Sequence, residues 1–236
     1  MTSCGSGGDR LAEAVALMTR IRRDGRWESE QTHASLLPYL IEESWELVDA
    51  VADGDRDELV SELGDLLLQV LFHAAIGAER DDAPFDVQDV AGALLDKLRR
   101  RAPYWFTDEA AAHLDSAEQD RMWQVAKAAE RRAAEESGRP PRGVVDDISW
   151  EQPALALGQK VLGRARSAGF PDELVPEQMR LVPVDPVGVF HESGSAEVAY
   201  RQVVRAFADQ IRAAETRLLV PSAEATAADW RAAWRS

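Results

Sequence analysis

Cysteine is nearly absent from this sequence: Cys4 is the only one in 236 residues. That excludes an intramolecular disulfide and makes a reducing, cytoplasmic setting the simplest expectation. No uninterrupted apolar run reaches the roughly 18 residues of a membrane span, so no membrane association is expected. The opening residues, MTSCGSGGDR, lack a cationic stretch followed by an apolar one. Residues 1–9 therefore read as a flexible leader. Positive charge is also short, with 27 Lys and Arg against 42 Asp and Glu, a net charge of -15. General nucleic-acid binding, which neutralises phosphates with Lys and Arg, is not expected of such a chain. Histidine is scarce too, at 4 residues, and a di-iron bundle would need a Glu-x-x-His pair on each of two helices. Only Glu30 and His33 have that spacing.

Strand signals are missing as well. Apolar residues recur at helical spacing through most of the chain, and no βαβ alternation appears. VPVDPVGVF (182–190) could form one brief strand. Helices are expected at about 9–23, from a Thr32 cap to Asp53, from an Asp55 cap to Gly77, from an Asp86 cap to Ala102, and at 116–136. The stretch 137–147, SGRPPRGVVDD, has linker composition. Further helices are expected near 154–167 and 196–219. The fold class is all-α, with the first hundred residues an antiparallel helix bundle. The expected domains are 10–136, a linker at 137–150, and a second helical part at 151–236.

The acids are not scattered. Glu42-Glu43-Ser44-Trp45-Glu46 and Glu62-Leu63-Gly64-Asp65 lie on two consecutive helices. Residues three or four apart share a helix face, so Glu43 projects with Glu46, and Glu62 with Asp65. Both pairs sit beside leucine-rich stripes and should face a seam between helices. Four carboxylates converging there would cost several kcal/mol unless a cation compensated. Hard oxygen donors select Mg²⁺, with Mn²⁺ also suitable. Gly64 costs roughly 1 kcal/mol in a helix, which close approach of a ligand or another helix would explain. Lys97 and Arg101 share a face further on, and with the acids they suit a small polyanion bridged by metal. His33 and His73 read as structural, or as supports for the metal ligands that do not themselves bind the ion.

These residues, together with their neighbours, resemble the MazG-like all-α nucleoside triphosphate pyrophosphohydrolases. Glu42-Glu43-x-x-Glu46 and Glu62-x-x-Asp65 match that family's EExxE…ExxD signature. Trp27 to His33, WESEQTH, is similar to its PWDxxQTH element. KLRRRAPYWF (97–106) is similar to its KLxRRHPHVF, and Trp123 to Lys127 to its WxxxK. The likeness covers about residues 10–135, with Arg26 in place of proline and Ala102-Pro103-Tyr104 in place of HPH. It implies hydrolysis of (deoxy)nucleoside triphosphates to monophosphate and pyrophosphate by a homodimer. It also implies Mg²⁺ on Glu43, Glu46, Glu62 and Asp65, with Glu42 assisting as ligand or water-orienting base. Lys97 and Arg101 would meet the phosphates, and Trp123 and Lys127 the nucleotide. Removal of non-canonical or oxidised nucleotides is one implied role. The competing class is a catalytically silent nucleotide-binding regulatory or interaction protein.

Family members often carry the domain twice. Setting 197–214, EVAYRQVVRAFADQIRAA, against 57–74, DELVSELGDLLLQVLFHA, matches the apolar rhythm. Gln202 then stands opposite Glu62 and Arg205 opposite Asp65. The second part reads as a degenerate repeat without metal ligands.

Overall fold

The computed structural model describes residues 9–106, 114–138, 142–184 and 195–235. The described residues hold helices, turns and coil and no strand. Residues 182–184 are coil, and the rest of the candidate strand lies outside the described residues. The chain divides into two compact units, Met1–Arg131 and Arg132–Ser236.

The first unit holds α1 (Arg10–Asp24), α2 (Leu37–Asp53), α3 (Arg56–Ala78), α4 (Val87–Arg101) and most of α5 (Ser116–Glu136). Side-chain oxygens of Asp9 and Asp55 accept from the free amides opening α1 and α3. Asp86 and Asp89 form a reciprocal capping box on α4. Thr32 does not cap α2 directly. Its amide and hydroxyl exchange hydrogen bonds with Ser35, closing a turn, and α2 starts at Leu37 with Pro38 in its first turn. Gly54 ends α2 in the left-handed conformation, at φ 73°. α3 passes through Gly77 without stopping. A Cβ there would lie 2.5 Å from the Phe85 ring, so this glycine admits the loop that returns to α4. Gly64 is the reverse case, since a Cβ would meet nothing within 4 Å. The close approach expected at Gly64 is not made by anything within the described chain.

α3 packs against α1, α2 and α4. The core is small: Met18, Leu36, Leu71 and Phe72, flanked by Ala14, Val15, Ala75, Ile76 and Val87. Large apolar side chains on the other faces stay in water, among them Trp45 at 55% exposure, Val51 at 62% and Leu63 at 50%. α3 is also long and apolar enough by length and composition to cross a membrane, against the sequence expectation. The expectation failed because Glu62 and Asp65 interrupt the apolar run without making it hydrophilic. Only 22% of that apolar window is buried within the chain.

The second unit is built on α6 (Ala154–Ser167), α7 (Ala196–Glu215) and α8 (Ala227–Arg235). α8 had no counterpart in the sequence reading, because nine residues, four of them alanine, carry little periodic signal. Its Trp230 is 0% exposed and donates its indole N–H to the Ala168 carbonyl at 2.7 Å. Leu157, Val161, Phe170, Val204, Phe207, Ile211 and Trp230 belong to one continuous core. Glu197 accepts from the Ala154 amide at the start of α6, and Arg201 donates to the Trp150 and Gln152 carbonyls just before it.

Candidate metal centre

The site grows from the pairing of α2 with α3. Each helix turns one acidic strip toward the other. Glu43, Glu62 and Asp65 are half-buried, and one carboxylate oxygen from each lies within 4.8 Å of the others. Among the described residues this is the one such cluster of metal-ligating side chains. Glu62 Oε2 is out of contact with water and has no hydrogen-bond partner. A buried carboxylate oxygen without a donor or a cation is costly.

The electrostatics agree. The Glu43 carboxyl is pushed above its ordinary range by burial first, then by the charges of Asp65 and Glu46 and a hydrogen bond with Glu46. Glu62 is pushed up by burial, then by Glu46, Asp65 and Glu58. No ion pair among the described residues reaches Glu43, Glu62 or Asp65. Glu46 is thus an electrostatic neighbour of the trio while its own side chain is exposed, and Glu42 is exposed outside the cluster. Oxygens around a single Mg²⁺ stand about 3–4 Å apart, so the trio would contract by under roughly 1–2 Å to hold one. The donor set of hard oxygens fits that ion.

The cations sit at the C-terminal end of α4. Lys97 is exposed and has no partner among the described residues. Arg101 is half-buried: its Nε and Nη2 donate to the Glu130 carboxylate, at 2.7 Å for Nη2. Its guanidinium carbon lies 5.3 Å from the centre of the Trp123 ring. Arg100 donates to the same carboxylate at 3.1 Å. Trp123 and Lys127 are both half-buried on α5. Glu130, which the sequence reading passed over, is therefore the hub of this cluster. Its signal was available, since 123, 127 and 130 fall on one helix face.

The segment around Trp27 is held from behind by a second unforeseen residue. Arg22 donates to the Glu28 and Gln31 carbonyls and pairs with Glu79 at 2.7 Å. His33 and His73 meet Nδ1 to Nδ1 at 2.8 Å with parallel rings, and Phe85 stacks beyond His33. The pair ties the turn before α2 to α3.

The model of the MazG nucleotide pyrophosphohydrolase domain matches residues 31–106, which contain all three clustered carboxylates. A nucleoside triphosphate pyrophosphohydrolase of Mycolicibacterium smegmatis is 41% identical over 241 residues, 96% of this chain and 70% of that protein. The chain belongs to the MazG family. A nucleoside triphosphate pyrophosphohydrolase of Mycobacterium tuberculosis is 44% identical over 213 residues, 90% of this chain. The match spans 60% of that relative's own length. A MazG-related protein from Thermotoga maritima, known from its crystal structure, is 26% identical with a TM-score of 0.43, covering 51% of this chain and 99% of that one.

Proposed function

We propose that this chain is a Mg²⁺-dependent nucleoside triphosphate pyrophosphohydrolase that releases a nucleoside monophosphate and pyrophosphate. The observation that carries the reading is the trio Glu43, Glu62 and Asp65, like-charged, half-buried and with the orphaned Glu62 Oε2, inside the segment that matches the MazG domain. The names of the mycobacterial relatives support the same activity.

In this reading Glu43, Glu62 and Asp65 hold the ion, with Glu46 completing the set from the same face of α2. Bound there, Mg²⁺ supplies charge neutralisation for the triphosphate and for the group that leaves. The chain's own work is positioning, which phosphoryl chemistry chiefly demands. Glu42, exposed beside Glu43, orients the attacking water. Lys97 and Arg101 bind the phosphates, and Trp123 with Lys127 engages the nucleotide. The site acts in a homodimer: Trp45, Val51 and Leu63 belong to apolar faces of α2 and α3 that one chain leaves in water and that a second copy would cover. Non-canonical or oxidised nucleotides are included among the substrates, and the second unit is a degenerate repeat of the first. The setting is cytoplasmic.

The deciding experiment is a panel of canonical and oxidised (d)NTPs with Mg²⁺, with products separated by anion exchange. Monophosphate and pyrophosphate in equal amounts are expected. Release of orthophosphate would overturn the assignment, and calorimetric nucleotide binding without turnover would favour the silent binding protein.

A further inference from the structure

The guanidinium of Arg101 is fixed on two of its sides. Its Nε–Nη2 edge is clamped by the Glu130 carboxylate, and its guanidinium carbon sits over the Trp123 ring, 5.3 Å from the centre. Guanidinium is a rigid planar fork with five N–H donors. With one edge clamped and the ring alongside, only the Nη1 edge is left over. No described residue accepts from Nη1. The side chains of Arg101 and Glu130 are only 21% and 26% exposed, so the pair is screened by solvent far less than a surface ion pair.

If Arg101 meets the phosphates, a carboxylate bonded to it is a liability, since it repels the same ligand. Its presence calls for a compensating role. Arg100 and Arg101 are neighbours of like charge, and both reach Glu130. Without that acceptor the two guanidinium groups would repel one another, and Arg101 would be free to leave the tryptophan. Glu130 itself is held fully ionised, well below the ordinary carboxylate range, by its bonds to Arg101 and then Arg100.

We propose that Glu130 is a positioning residue: it holds Arg101 over Trp123 so that the remaining Nη1 edge is presented to the phosphates of the substrate. The inference rests on the reading of Arg101 as a phosphate contact. Glu130 acts through Arg101 and touches no reacting atom.

The test uses the full chain with Mg²⁺ and compares wild type, Glu130→Gln, Arg101→Ala and the double variant. Glu130→Gln keeps the size of the side chain and removes its charge, and thermal melting verifies that each variant is folded. Glu130→Gln is expected to raise KM about 10-fold while kcat stays within about twofold, the mark of lost ground-state binding. Isothermal calorimetry with inorganic pyrophosphate should weaken in parallel. In the Arg101→Ala background the same substitution should change neither quantity, because coupled residues are not additive. A fall in KM for Glu130→Gln would make Glu130 a competitor of the substrate and overturn the proposal. An equal rise in KM in the Arg101→Ala background would overturn it too, by showing an effect independent of Arg101. If Arg101→Ala leaves KM unchanged, the phosphate contact and this inference fall together while pyrophosphate release by the wild type stands. Should the wild type release no pyrophosphate, the parent reading fails instead.

Discussion

The two units of this chain handle charge and apolar surface in opposite ways. The second unit satisfies most of its own groups, with the buried Arg164 Nε an exception. Its helices close over one continuous core, and Glu197, Arg201 and Glu215 each bond backbone groups at or before the start of α6. On α7, Gln202 and Arg205 are exposed at positions that the repeat alignment sets against Glu62 and Asp65. The first unit leaves both accounts open: a small core, apolar faces in water and carboxylates whose proton affinity is raised by burial and then by one another. Unsatisfied charge and uncovered apolar surface are what a binding site and an interface look like before their partners arrive. The contrast supports placing the proposed chemistry in the first unit.

The contrast can be broken in four places. Trp230→Ala should cost about 3–5 kcal/mol in the second unit, as a large side chain leaves a closed core. Denaturant unfolding followed by circular dichroism measures it, and a loss under about 1 kcal/mol would deny that unit its closed core. Asp65→Asn should lower pyrophosphate release at least about 100-fold, equivalent to about 2.7 kcal/mol of barrier. Arg205→Ala, at the aligned position of the second unit, should leave the rate unchanged. If both variants are equally impaired, the assignment of chemistry to one unit is wrong.

Trp45→Glu should convert a dimer to a monomer in sedimentation velocity at micromolar concentration, whereas Val198→Glu on α7 should not. A wild type that sediments as a monomer removes the interface reading outright. Glu43→Gln should raise the melting temperature in chelator by roughly 2–4 °C, because it removes a charge that its neighbours repel. Added Mg²⁺ should then stabilise the wild type and not the variant. A variant that melts lower in chelator would mean that the acids are balanced by something other than a metal.

The smallest effect concerns the histidine pair. Burial, and then the neighbouring His33, hold the His73 imidazole below its ordinary range. The unfolded chain takes up a proton near pH 6.5 that the folded one resists. The stability associated with a neutral His73 is therefore present above that value and lost as the pH falls below it. Melting scans from pH 7.5 to 5.5 should show the decline, flattened in His73→Leu; parallel slopes in the two proteins would count against it.

Much of the site was legible from spacing. Glu43, Glu62 and Asp65 could be assigned to facing strips because helix periodicity is local, and the caps at Asp9, Asp55 and Asp86 follow from side chains that reach amides two or three residues on. What stayed hidden depended on distant partners. Thr32 looks like a cap until Ser35 is seen to take its hydroxyl into a turn. Gly64 looks like a close-packing glycine, whereas Gly77 is the one beneath a ring, because Phe85 reaches it from a loop. α8 was invisible because its nine residues are ordered by a core laid down some sixty residues earlier.

Alone, the sequence determined the all-helical class, the family and the acidic strips, since each depends on residue type repeated at short spacing. Tertiary structure alone decided which acids meet, for Glu43, Glu62 and Asp65 cluster while Glu42 faces water. It also decided that Glu130 gathers Arg100 and Arg101. Those outcomes depend on how two helices are rotated against each other, and no single helix carries that angle in its own sequence.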